Sequence, residues 1–159
     1  MNNISTKTIA RIAVVQALYQ YQINGSTQKL EELILGITAY YKDSEIAEDL
    51  DIKAHGDPKI KLNITYFSVL LQYTLDHLPK IDEIIEGYLS NPWRLDTLHA
   101  SLLALLRAAI AELLYFPEVP YRVVINEFTD IASDMLKDNE VAFVNSLLDN
   151  VRKKFRPDE

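Results

Sequence analysis

A chain of 159 residues with four glycines and six prolines has the length of one domain and few breaks in helix, and its 48% hydrophobic and 25% charged content is that of an ordinary globular protein. The lack of cysteine excludes disulfides, thiolate nucleophiles and thiolate metal sites, so nothing demands an oxidising compartment. A net charge of −7 disfavours holding nucleic acid by overall charge, yet Lys7 and Arg11 lie in a stretch, residues 1–25, that contains no acid, whereas residues 43–51 carry five.

Residues 5–23 predict a first helix, apolar around most of its circumference and stopped by Asn24 and Gly25. Leu30, Leu33, Ile34, Ile37 and Tyr41 recur at helical spacing and predict a second, amphipathic helix. Residues 42–61 are acidic and then read "AHGDPKIK"; without a sustained period, they are expected to form an exposed acidic loop. Asn63 suits the N-cap of a third helix, and Pro79 suits the first turn of a fourth, on which Ile81, Ile84, Ile85, Tyr88 and Leu89 share a side. "SNPWR" ends it, and a fifth helix is predicted from about Leu95 to Tyr115, closed by "FPEVP".

The next segment, "PYRVVINEF", holds three consecutive β-branched residues and resembles a strand on propensity alone. Tyr121, Val124, Ile125, Phe128, Ile131, Ala132 and Met135 nevertheless recur at a helical interval, which a period of two cannot use, so a sixth helix is predicted from Pro120 to about Leu136. Val123, Asn126 and Asp130 fall on its other side. The last helix runs from Asn139 to about Phe155, with Phe143, Val144, Leu147, Leu148 and Val151 facing inward. The expectation is one all-α domain over residues 1–159, with about seven helices.

Catalytic chemistry finds little support. His55, His77 and His99 are each 22 residues apart and lack metal-ligand spacing, so surface or capping roles are the simpler reading. Neither a glycine-rich phosphate loop nor a nucleophile elbow is present. Asp82 with Glu86, and Asp130 with Asp134, stand at i,i+4 spacing and read as solvated helix faces. The N-terminus lacks the architecture of a signal peptide, and no apolar run is long enough for a bilayer, so a cytoplasmic protein is expected.

Lys7 and Arg11 are four residues apart, which places both on one side of the first helix near its N-terminus. The macrodipole disfavours cations there, whereas free N–H groups and cations together attract an anion such as phosphate. The group "RKKFR" at residues 152–156 sits instead at a helix C-terminus, where positive charge is already favoured. Tyr19, Tyr21 and Phe143 are aromatic residues that stack on bases in some proteins and fill cores in more.

The stretch "RAAIAELLYFPEVPYRVVINEFTDIASDM", continuing through "FVNSLLDNVRKKF", resembles the NusB family of bacterial transcription antitermination factors, and "RIAVVQALYQYQ" matches as well. Arg107, Glu112, "VPY", "INE", "FVN" and "LLD" occur in the family's order, and the likeness covers most of the chain except residues 42–61. The resemblance implies seven helices in two packed sub-bundles and neither catalysis nor a metal or other cofactor. It implies binding of single-stranded boxA RNA together with NusE, a small-subunit ribosomal protein, in a complex with other Nus factors and RNA polymerase on ribosomal RNA operons. Carried over, the RNA-contacting positions are Lys7, Arg11 and Gln16, with Asn139 and Phe143 on a second element. The implied protein-partner positions are Tyr88, Leu102 and Leu103.

The chain departs from the family where relatives carry consecutive arginines and it has "KTIAR", where a basic residue often precedes "FVN" and it has Ala142, and where Ser146 replaces a glycine. Leu102 and Leu103 replace a charged pair. Each lost phosphate contact lowers the salt slope of single-strand binding by about 0.7, so RNA binding without the basic partner is expected to be weak. A helical interaction module or homodimer without an RNA role stands as the alternative.

Overall fold

The computed structural model describes residues 5–55 and 61–158, with the side chains of 43–55 left aside. Helix α1 spans Thr6–Ile23, and the Ser5 hydroxyl accepts the Lys7 N–H at 3.2 Å. Ile9, Ala10, Ala13, Val14, Ala17 and Leu18 are buried along it. Its end is a Schellman turn: Gly25 has φ +80°, its N–H reaches the Gln22 carbonyl, and the Ser26 N–H reaches that of Tyr21 at 2.8 Å. Glycine there avoids the Cβ penalty of a left-handed residue.

Helix α2 spans Leu30–His55, and Glu32 accepts the Lys29 N–H at its start. Leu33, Ile37 and Tyr41 form its buried stripe. The expected loop at 42–61 is corrected for its first part, because the helix continues through His55. The physical reason is that "DSEIAEDLDIKAH" contains no glycine or proline to break the helix, and Ile46, Leu50 and Ala54 recur at helical i,i+4 spacing. Residues 56–60, with the exposure expected of the whole stretch 43–60, lie outside the description.

Helix α3 spans Ile64–Asp76, and Asn63 Oδ1 accepts the Tyr66 N–H at 3.0 Å, the cap its position predicts. Helix α4 spans Leu78–Gly87 with Pro79 in its first turn and Ile81, Ile84 and Ile85 buried. The expected fifth helix is split. A 3-10 turn covers Leu95–Thr97, Leu98 is extended, and α5 spans Ala100–Tyr115. The Thr97 hydroxyl accepts the Arg94 N–H and donates to the Arg94 carbonyl, a local loop that competes with helix, and His99 then caps α5.

Helix α6 spans Tyr121–Met135 and α7 spans Asp138–Phe155. On α6, Val124, Ile125, Phe128, Ile131 and Ala132 are buried and Val123 is exposed, so periodicity prevails over β-propensity; Met135, expected inward, is exposed at the helix end. On α7, Val144, Leu147, Leu148 and Val151 are buried. Arg156 then donates to the carbonyls of Pro117 and Val119, holding the segment after α5.

Among the described residues the chain is all-α, with seven α-helices, the 3-10 turn and no strand. It divides into two compact units, Met1–Leu71 and Gln72–Glu159, and the division falls within α3. In the first unit α1 packs on α2. In the second, α5 is buried almost all round and packs against α4, α6 and α7.

Candidate nucleic-acid interface

In the first unit, Lys7 and Arg11 converge on one aromatic ring. Lys7 Nζ lies 5.1 Å and Arg11 Cζ 5.6 Å from the centroid of Tyr66, a cation–π geometry worth about 0.5–2 kcal/mol depending on solvation. Their accessibility differs: Lys7 is exposed, whereas Arg11 is only 3% exposed. Arg11 therefore orders the end of the site, and Lys7 is the cation offered to solvent. Gln16, also expected at the RNA face, is half-buried, and its side-chain oxygen accepts the Tyr41 hydroxyl at 2.7 Å, tying α1 to α2. Burial pushes the Tyr41 hydroxyl up to about 12, with the Tyr40 hydroxyl adding to the rise.

In the second unit, the end of α4, the 3-10 turn and the starts of α5 and α7 enclose a cleft of about 420 Å3. Tyr88, Trp93, Leu102, Asn139 and Phe143 line it, so two positions expected at RNA and two expected at a protein partner share one concavity. Trp93, 58% exposed, supplies an aromatic face that the turn presents to solvent. Leu102 is buried and lines this cleft, whereas Leu103 lines a different, polar hollow of about 500 Å3 with Glu86, Arg94 and Arg107. The two leucines therefore serve different surfaces.

A polar chain sets the cleft's geometry. His99 Nδ1 accepts the Leu102 N–H at 3.3 Å, which leaves the proton on Nε2, where it is donated to Glu140. The other Glu140 oxygen accepts the Lys137 N–H at 3.0 Å. One carboxylate thus joins the N-termini of α5 and α7, and the Lys137 N–H, followed by the His99 bond, holds it below the usual carboxylate range. The remaining histidines are elsewhere: the His77 ring stacks on Tyr115, and the His55 side chain lies outside the description. Among the described residues, no group of three histidines or acids is placed to hold a metal ion.

The sequence profile of the NusB family matches residues 8–153, across both units. The chain belongs to the NusB family. The transcription antitermination protein NusB of Rickettsia bellii is 41% identical over 150 residues, 94% of this chain and 92% of that protein. That of Rickettsia akari is 41% identical over 155 residues, 96% and 95% respectively. Among solved structures, T. maritima NusB superposes with a TM-score of 0.74 at 24% identity, covering 99% of this chain and 96% of that one. A chain in the crystal structure of a plectonemic RNA supercoil gives a TM-score of 0.72 at 21% identity, covering 98% and 100%.

Of the expected site residues, Lys7, Arg11 and Gln16 belong to the first unit and Asn139, Phe143, Tyr88, Leu102 and Leu103 to the second. The motifs pointed to neither Tyr66, which underlies both cations, nor Trp93, His99 and Glu140 in the cleft. Tyr66, His99 and Glu140 act through partners distant in sequence, and the usable signal for Trp93 was an aromatic residue in a turn otherwise built of polar and proline residues.

Proposed function

We propose that the chain is a non-catalytic transcription antitermination factor that binds single-stranded boxA-type RNA. It acts with the ribosomal protein NusE, within a complex that includes other Nus factors and RNA polymerase, to support transcription of ribosomal RNA operons. Membership of the NusB family supports the antitermination role. The observation that carries the RNA reading is the cleft where Phe143, Trp93 and Tyr88 offer aromatic surface beside the amide of Asn139. Unpaired bases stack on such rings for about 1–3 kcal/mol each, and an amide can hydrogen-bond to base edges. Lys7 adds a phosphate contact in the first unit, while the buried Arg11 contributes by fixing Tyr66.

The chain's net charge of −7 makes a basic partner electrostatically favourable and RNA binding by the chain alone weak. Titrating labelled boxA-type RNA with the protein, with and without NusE and across salt concentrations, tests the reading. Phe143→Ala is expected to weaken the complex by about 10-fold or more, from the stacking energy of one base. Equal binding of a scrambled RNA would overturn sequence-specific recognition. A second reading, self-association through the first unit, rests on the exposed Leu35, Tyr40 and Ile64. Sedimentation of the protein without RNA distinguishes it, since a monomer across micromolar concentrations removes the homodimer.

A further inference from the structure

A hollow of about 330 Å3 lies between α4 and the end of α7, lined by Lys80, Glu83, Ile84, Tyr88, Lys154 and Phe155. Both lysines are gathered around one ring: Lys80 Nζ stands 5.7 Å and Lys154 Nζ 5.5 Å from the Phe155 centroid. Both are exposed, and Phe155 is half-buried between them. The hollow's one acid, Glu83, is 3.8 Å from Lys80 but its side chain is 77% exposed, so it offsets little of that charge. The C-terminal position on α7 explains why Lys154 is tolerated there; it does not explain why Lys80, on another helix, is turned onto the same ring.

Tyr88 lines this hollow and also the aromatic cleft, so the two are neighbours. Lys154 is eleven positions beyond Phe143 on α7, roughly 16 Å at 1.5 Å per residue. A flat ring flanked by ammonium groups combines the two elements of single-strand recognition, a stacking face and charge for the backbone. A basic protein partner is repelled by that charge, whereas a nucleic-acid strand is attracted.

We infer that the Lys80–Phe155–Lys154 hollow is a second subsite for the same RNA strand, in which the two lysines contact backbone phosphates after the strand has passed Tyr88. This inference rests on the RNA-binding reading above and assigns to the end of α7 a role in the length and salt dependence of binding.

The test compares two RNAs, a boxA-type oligonucleotide trimmed to its core and the same core extended at both ends, against the full chain and its Lys80→Gln/Lys154→Gln variant, each with NusE present. With the extended RNA, the double variant is expected to lower the log–log salt slope by about 1.4, two phosphates at about 0.7 each, so that a fourfold rise in salt weakens it about 7-fold less than the wild type. With the trimmed RNA, both proteins should have the same slope. Phe155→Leu, which keeps packing and removes the stacking face, should weaken only the extended RNA. If the double variant matches the wild type on the extended RNA while Phe143→Ala loses binding to both RNAs, the subsite is refuted and the cleft reading stands. If the variant loses a protein partner with its RNA slopes unchanged, the hollow takes an acidic protein segment and the inference is likewise overturned. If the wild type binds neither RNA at low salt even with NusE present, both the subsite and the RNA-binding reading fail.

Discussion

Asp82 on α4 accepts two hydrogen bonds from Arg107 on α5, Nε to Oδ1 and Nη2 to Oδ2, each 2.9 Å long. Their side chains are only 20% and 10% exposed, respectively. Asp82→Ala therefore strands a guanidinium in a mostly dry site, and breaking such a pair from one side costs about 3–5 kcal/mol. Arg107 has further interactions, which argues for the lower end, near 3 kcal/mol. For a chain of this size that is a fall of about 10 °C in Tm. Asp82→Asn retains an acceptor and should lose roughly half as much. The pair also matters for the cleft, because α4 leads directly to Tyr88 and α5 carries Leu102. Urea unfolding followed by circular dichroism gives the global loss, and the fluorescence of Trp93, the single tryptophan, reports the cleft wall. RNA affinity should fall together with the Trp93 signal. A loss below about 1 kcal/mol for Asp82→Ala, or a double-mutant cycle with Arg107→Met showing no coupling, would refute the claim that this pair ties the two helices.

Other consequences follow from the same geometry. Glu140 is held below its ordinary value of 4.5, so its contribution to stability is complete above about pH 4.5 and is lost as pH falls through the lowered folded value; an acid-unfolding series should show Glu140→Gln with a shallower loss in that range. Tyr41 has the opposite sign: raised from 10.0 to about 12, it contributes stability in full below pH 10 that is lost as pH rises toward 12, and Tyr41→Phe should flatten alkaline unfolding monitored by circular dichroism. Asn63→Ala removes the acceptor for the Tyr66 N–H and should cost about 1 kcal/mol in urea unfolding, whereas Asn63→Ser should recover most of it.

Local rules carried much of the fold. The apolar period assigned α6 to helix despite Val123, Val124 and Ile125, because a helix buries Val124, Ile125, Phe128 and Ile131 on one side and a strand cannot. Asn63, Pro79, Pro120 and the Asn24–Gly25 stop lay where short-range backbone chemistry requires them. The same rules missed the second half of α2, where five acids among residues 43–51 mask the short Ile46, Leu50, Ala54 spacing, and they ran α5 through Thr97, whose hydroxyl diverts the backbone.

Family order supplied the expected site residues by identity, but not their geometry. The spacing of Lys7 and Arg11 put them on one side, yet only packing left Lys7 in water and buried Arg11 beside Tyr66. Adjacent Leu102 and Leu103 look equivalent in sequence and line different hollows, because neighbouring positions on a helix point about 100° apart and α5 is enclosed by different elements on each side. Asp82 looked like half of a solvated acid pair with Glu86 until α5 brought Arg107 to it. Sequence alone determined most of the helices and their buried stripes, with the Asn63 cap and the Asn24–Gly25 stop, which depend on residues a turn or so apart. Tertiary structure alone decided which charges are dry and which rings share a cleft, because those contacts join residues 25 and 41 positions apart, as in Arg107 with Asp82 and His99 with Glu140, and such pairings exist only once the helices have packed.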